Sequence, residues 1–293
     1  MPAPLAGKRL DQALAEMLPE YSRSRIQEWI EAGLVLLAGS PAKPKQKVWS
    51  GEQLSVRPLA HPSEVEAAPE AIPLDVVYED EAILVLNKPA GLVVHPGSGN
   101  WSGTLMNALL SHAPQLKQVP RAGIVHRLDK DTSGLMVVAK TLQAQTDLVR
   151  QLQARTVSRI YLALVEGRPQ EGGSVDAPIG RHPRERTKMA VVEQGKPAVT
   201  HFHVLEHLPQ HTLVECRLET GRTHQIRVHM QSIGHPLVGD PVYGARELRK
   251  VFHRQALHAT RLALIHPVSG ERMEWQAAMP ADMEQLLQRL RQG

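Results

Sequence analysis

The chain has 293 residues, 42% of them hydrophobic, with 34 Lys and Arg against 30 Asp and Glu. That length suits one large domain with a small companion, and a net charge of +4 permits a polyanionic partner without establishing one. A single cysteine, Cys216, excludes an intrachain disulfide and a Cys-rich zinc site, and no run reaches the ~20 apolar residues of a membrane span. The N-terminus is charged within ten residues and lacks a signal-peptide core, which predicts a cytoplasmic protein.

Residues 8–18 place Leu10, Leu14 and Met17/Leu18 at helical spacing, and Pro19 is expected to close that helix. Residues 22–32 predict a second helix with Ile26, Trp29 and Ile30 inward and Gly33 at its end. Lys8, Arg9, Arg23 and Arg25 cluster near these helices, and short strands follow at 34–37 and 53–56. Two helices and a small sheet, basic on one side, resemble an S4 RNA-binding module over residues 1–60. Such modules usually carry Val-x-Val-Asn-Gly in the first strand and turn, where this chain reads VLLAGS. Residues 61–73, rich in Pro, Ala and Glu, read as an extended, partly mobile linker.

A larger domain is expected over 74–293. DVVYED and ILVLNKP predict two strands around an acidic turn, and 104–112 predicts a helix. Lys88 and His95 are candidates to face substrate phosphate. Residues 141–155 predict a helix burying Leu142, Leu148, Val149 and Leu152. VSRIYLALVEG predicts a strand with Arg159, Tyr161, Ala163 and Val165 on one face. RHPRERTK reads as a basic loop suited to phosphate or to solvent. His201 and His203 share a strand face, but nothing completes a metal pattern, so no metal is expected. Cys216 reads as a buried strand residue rather than a nucleophile. Thr223 is expected to cap a helix that carries Ile226 and Arg227 and ends at Gly234. An arginine on an otherwise apolar helix needs an anion, and an Asp would serve. The last run, DMEQLLQRLRQ, predicts an amphipathic helix.

The densest chemistry lies in RAGIVHRLDKDTSGLMVVAK, residues 121–140. Ile124–Val125 and 135–138 read as buried strands, and His126, Arg127, Asp129, Lys130, Asp131, Thr132 and Ser133 crowd between them. Charges beside a core are costly unless paired, so this loop is either a site or a salt-bridged turn. Asp129 and Asp131 stand too close in sequence for a glycosidase dyad. DTSG carries one residue too many for an aspartic-protease triplet. His126 and Ser133 lack a nucleophile elbow.

HRLDKDTSGL, followed by YLALVEG and TGRTHQIRVH, resembles the signature set of the RluA-type pseudouridine synthases. The three motifs are long and in the family's order, and the resemblance covers nearly the whole chain. The resemblance implies an α+β fold: the S4-like module plus a catalytic domain on a mixed, mainly antiparallel sheet flanked by helices. It implies isomerisation of uridine to pseudouridine in RNA without metal or cofactor. Within the family, the best match implies 23S ribosomal RNA in the large subunit or its precursor, at the helix 69 stem-loop, and a monomer away from membranes. Asp129 matches the catalytic carboxylate, acting on C1′ or on a ribose proton. Arg227 matches its guanidinium partner, and Tyr161 the ring on which the base stacks. Arg127 matches the residue filling the gap left by the base, and Ile226 an apolar wall. Other RNA targets, a non-catalytic ribosome-binding protein and nucleosidic hydrolysis remain as alternatives.

Overall fold

The computed structural model describes residues 1–18, 23–57, 67–97, 99–185, 187–244, 247 and 250–292. Pro19, residues 58–66 with the first part of the linker, Arg186, and residues 245–246 and 248–249 lie outside the described residues, as does the side chain of Arg25. The chain divides into two compact units, Met1–Glu66 and Ala67–Gly293.

In the first unit, helices α1 (Leu10–Met17) and α2 (Arg23–Glu31) share a core with strands β1 (Val35–Leu37), β2 (Ser40–Pro41) and β3 (Leu54–Val56). The strands pair antiparallel in the order β2-β1-β3. Leu10, Leu14, Ile26, Trp29 and Ile30 are buried, as the helical spacing predicts, whereas Met17 is exposed. The β1–β2 hairpin turns through Ala38 (φ +48°) and Gly39 (φ +78°). Two successive positive φ values are the turn that matches strand twist and favours Asn-Gly. Here alanine holds the first position at a steric cost. The fully buried Asp11 accepts hydrogen bonds from Arg9, Arg23 and Gln27. Burial opposes its charge, but these donors win and hold its pKa at about 2. Arg9 and Arg23 are therefore occupied in part by an internal carboxylate.

The second unit runs β4 (Val76–Glu79), β5 (Ile83–Lys88), α3 (Leu105–His112), β6 (Ser133–Ala139), α4 (Leu142–Gln153), β7 (Ser158–Glu166), β8 (Gly172–Asp176), β9 (Ile179–Arg181), β10 (Met189–Val191), β11 (Val199–His207), β12 (His211–Leu218), α5 (Gln225–Ser232), β13 (Leu257–Ile265), β14 (Arg272–Gln276) and α6 (Ala281–Gln292). Among the described residues nine of these strands form one mixed sheet, ordered β4-β5-β6-β13-β7-β12-β11-β8, with β14 on β13. Every pairing is antiparallel except β6 with β13. Alternation along the strands serves two cores. Leu84, Leu86, Met136, Val138 and Tyr161 pack with α3 and α5 on one face. Ile83, Val85, Leu135 and Val137 pack with α4 on the other. The sheet is mixed, mainly antiparallel and flanked by helices.

Several sequence expectations give way to the structure. Ile124 makes only an isolated bridge to Val138, so Ile124–Val125 is not a strand. Leu142, the first residue of α4, is 58% exposed rather than buried, while Ala144 and Leu148 are the helix's buried residues. Residues 67–73 are not free linker. Ala67 packs on the main core, Asn107 donates to Ala68 O at 2.7 Å, and the Glu70 carboxylate accepts from Gly103 N.

Candidate active site

The loop between Gly123 and β6 is held at several of its residues. His126 Nε2 accepts from Val137 N at 3.0 Å, and Asp129 O accepts from Thr132 N at 3.1 Å. Lys130 O accepts from Lys88 Nζ and from Gly91 N, each at 2.9 Å. Arg254 Nη1 donates to Asp131 O at 3.1 Å, and Gln255 Nε2 to Thr132 Oγ1 at 3.1 Å. Gly134 (φ +118°) follows, where a Cβ would stand 2.3 Å from Ala259 O across the parallel β6–β13 pairing. Only glycine lets the two strands approach so closely.

Lys88 thus lies inside, not toward substrate. It is fully buried, with Nζ donating to Pro89 O, Leu92 O and Lys130 O. Burial pulls its pKa down to about 7, against the pull of Asp131 and Asp129. Its apolar stem fits the strand pattern, and its head has become the tie that fixes two loops.

Asp129 keeps its carboxylate 18% exposed at a cavity of about 560 Å³. Asp129 Oδ2 accepts from Arg227 Nη1 at 2.9 Å. Arg227 is buried on α5 and also donates from Nε (2.7 Å) and Nη2 (3.0 Å) to the two oxygens of Asp240. Asp240 in turn accepts from the amides of Val242 and Tyr243, and the Tyr243 ring lies 5.1 Å from the guanidinium. Burial disfavours the Arg227 charge, but the Asp240 and Asp129 carboxylates outweigh it and raise its pKa. Burial likewise opposes ionisation of Asp240, and Arg227 overcomes it, leaving the carboxyl below its usual range. The arrangement is an anionic oxygen presented to the cavity by a cation that is itself locked from behind.

The Arg227 helix begins differently from the sequence expectation. Thr223 does not cap α5; His224 precedes Gln225 with φ +57° and caps nothing through its side chain. His224 instead bonds Tyr243 Oη at 2.8 Å and stands 3.9 Å from Asp129 Oδ1. Burial lowers its pKa, with Asp129 opposing.

Tyr161, Arg127, Ile226 and His95 line the same cavity as Asp129 and Arg227. Tyr161 is 5% exposed on β7, and its phenol is held neutral by burial, which raises the pKa, although Arg159 opposes. Ile226 is buried and Arg127 exposed at the rim. His95 is half-buried, and burial, then Arg127 and Arg121, pull its pKa down to about 4. Burial thus favours the neutral ring near pH 7. Asp240 was missing from the sequence expectations by number; its signal was an arginine on a buried helix face in need of a second anion. Among the described residues no group of His, Cys, Asp or Glu is placed to hold a metal, and His201 pairs with Glu219 at 2.6 Å. Burial pushes the Cys216 thiol up to about 12. No described helix is long and apolar enough to cross a membrane.

Residues 82–232 match the family model for RNA pseudouridylate synthase, and residues 8–54 match the S4 domain. The chain is 59% identical over 300 residues to the ribosomal large subunit pseudouridine synthase D of Nitrosomonas europaea, covering 99% of this chain and 87% of that one. Its counterpart in Escherichia coli (strain K12) is 58% identical over 97% of this chain and 91% of its own. Among solved structures, human RNA pseudouridylate synthase domain containing 1 superposes with a TM-score of 0.58 at 30% identity, covering 77% of this chain and 98% of its own. With its three sequence motifs meeting at one cavity, and with relatives this similar over nearly its full length, the chain belongs to the RNA pseudouridylate synthase family.

Proposed function

We propose that this pseudouridine synthase acts on uridines of large-subunit ribosomal RNA, with the helix 69 stem-loop of 23S RNA as its target. The names of its relatives support the RNA class, and the stem-loop follows from the motif resemblance. The reaction breaks the N1–C1′ bond of uridine, turns the base and rejoins it through C5, with no net gain or loss of atoms. Asp129 is the carboxylate that acts on the nucleotide, at C1′ or at a ribose proton. Either route needs the anion, and Arg227 favours and aims it. Tyr161 receives the everted base. Stacking on an aromatic ring contributes ~1–3 kcal/mol, which offsets much of the few kcal/mol that extrusion costs. Arg127 at the rim takes the space the base leaves, and Ile226 walls the pocket. The S4-like unit adds RNA affinity.

The observation that carries this reading is the hydrogen bond from the buried Arg227 to a carboxylate left open to the cavity that Tyr161 lines. The experiment is to delete the gene, map pseudouridine across all stable RNAs, and restore it with wild type or Asp129→Asn. Large-subunit sites should vanish and return only with wild type. Loss confined to transfer RNA, or full restoration by the variant, refutes the target or the residue respectively.

A further inference from the structure

Among the described residues three arginines are buried: Arg159, Arg227 and Arg254. Two are conventionally neutralised. Arg227 holds Asp240 through two nitrogens, and Arg254 holds Asp282 in the same way at 2.7 and 2.9 Å. Arg159 is different. It is 7% exposed and has no carboxylate partner among the described residues. Its one hydrogen bond is a long 3.3 Å contact from Nη2 to the carbonyl of Glu219, and its buried Nε has no acceptor. The carboxylate of Glu219 is already taken by Arg155 at 2.7 Å and His201 at 2.6 Å. A buried unpaired guanidinium costs several kcal/mol, so a protein keeps one where an anion arrives from outside.

The surroundings are built for such an arrival. Arg159 lines the same cavity as Asp129 and lies two residues before Tyr161 on β7, hence on the same strand face. Arg222, on the cavity wall, adds a like charge rather than a neutralising one. Gly221 lies directly against the guanidinium: a Cβ there would stand 2.7 Å from Arg159 Nη1. The planar fork presented by arginine suits two phosphate oxygens.

We propose that Arg159 is a phosphate seat, taking one backbone phosphate of the RNA beside the everted nucleotide and so fixing the register in which the base meets Tyr161. This rests on reading the cavity as the uridine pocket. The phosphate is either that of the target nucleotide or that of its neighbour, and the test separates them.

The test uses the full-length protein and a synthetic RNA stem-loop that it isomerises, made with a single uncharged methylphosphonate at each loop position in turn. Arg159→Met and Arg159→Lys are compared with wild type by pseudouridine formation. For wild type, one position should cost about 10- to 100-fold in kcat/KM, the range for a hydrogen bond to a charged group. Arg159→Met should show that same loss on unmodified RNA, mostly in KM, and no further loss on the modified one; Arg159→Lys should recover part of it. The sensitive position names the phosphate. The salt slope of binding should fall by about 0.7 in Arg159→Met, one contact on a single strand. The melting temperature should be unchanged or higher, since an unpaired buried charge is removed. Additive losses at every position, or a lower melting temperature with an unchanged salt slope, overturn the seat and make Arg159 structural. Failure of wild type to isomerise any RNA would instead refute the pocket itself.

Discussion

Arg227 gives two nitrogens to Asp240 and one to Asp129. The two carboxylates are therefore not equivalent. Asp240 is fully buried and anchors the guanidinium, whereas Asp129 is partly open and receives only its far end. Charge is held in place by the first so that it can be used at the second.

Removing the open carboxylate should cost function and little else. Asp129→Asn leaves Arg227 paired with Asp240, so the melting temperature should fall by no more than a few degrees, corresponding to about 1 kcal/mol. Pseudouridine formation should drop below detection. A variant that retains a tenth of wild-type turnover would remove Asp129 from the chemistry.

Removing the anchor should cost stability. Asp240→Asn leaves a buried guanidinium underpaired, and losses on breaking such a pair run to about 3–5 kcal/mol. Arg227→Ala strands two carboxylates and should both destabilise and inactivate. Chemical denaturation of the two variants checks this; midpoints within error of wild type for both would mean that water satisfies these groups.

As the proposed stacking platform, Tyr161 should act through the face of its ring rather than its hydroxyl. Tyr161→Phe should keep most activity, and Tyr161→Leu should lose about 10- to 100-fold, the equivalent of one stacking contact. Equal turnover by the two, measured by single-turnover kinetics, argues that the base rests elsewhere.

Acid should weaken the catalytic loop through His126. Burial, then Arg159, keep its folded pKa at about 3, against an ordinary 6.5. Between those values the unfolded chain binds the extra proton, so stability falls as pH drops, by up to about 1.4 kcal/mol per unit. His126→Gln should make the decline between pH 6.5 and 4.5 shallower by about one proton; an identical slope would show that the ring protonates in place.

Much of this site was legible because motifs are local. Strand alternation grouped Arg159 and Tyr161 on one face, and both line the cavity, while the motif resemblance singled out Tyr161, Ile226 and Arg227 as site residues. What escaped was set by tertiary partners. Lys88 reads as a surface cation because nothing local shows three carbonyls converging on it. Leu142 reads as core because periodicity alone does not show which end of a helical stripe is covered. Thr223 reads as a cap because nothing local shows that His224 takes a left-handed turn and bonds Tyr243, nineteen positions on. Ala38 marks a smaller departure. Ala38→Asn should stabilise the first unit by about 0.5–1 kcal/mol, since asparagine tolerates the left-handed region better.

The latch on the catalytic loop has a temporal consequence. Arg254, Gln255 and the start of β13 grip residues 131–134 from more than a hundred positions downstream. During synthesis, Asp129, Tyr161 and Arg227 all leave the ribosome before that grip exists. A growing chain therefore carries these three residues before the contacts that fix the loop can form. The loop that carries Asp129 gains its full set of long-range hydrogen bonds only once the closing strand lies between β6 and β7.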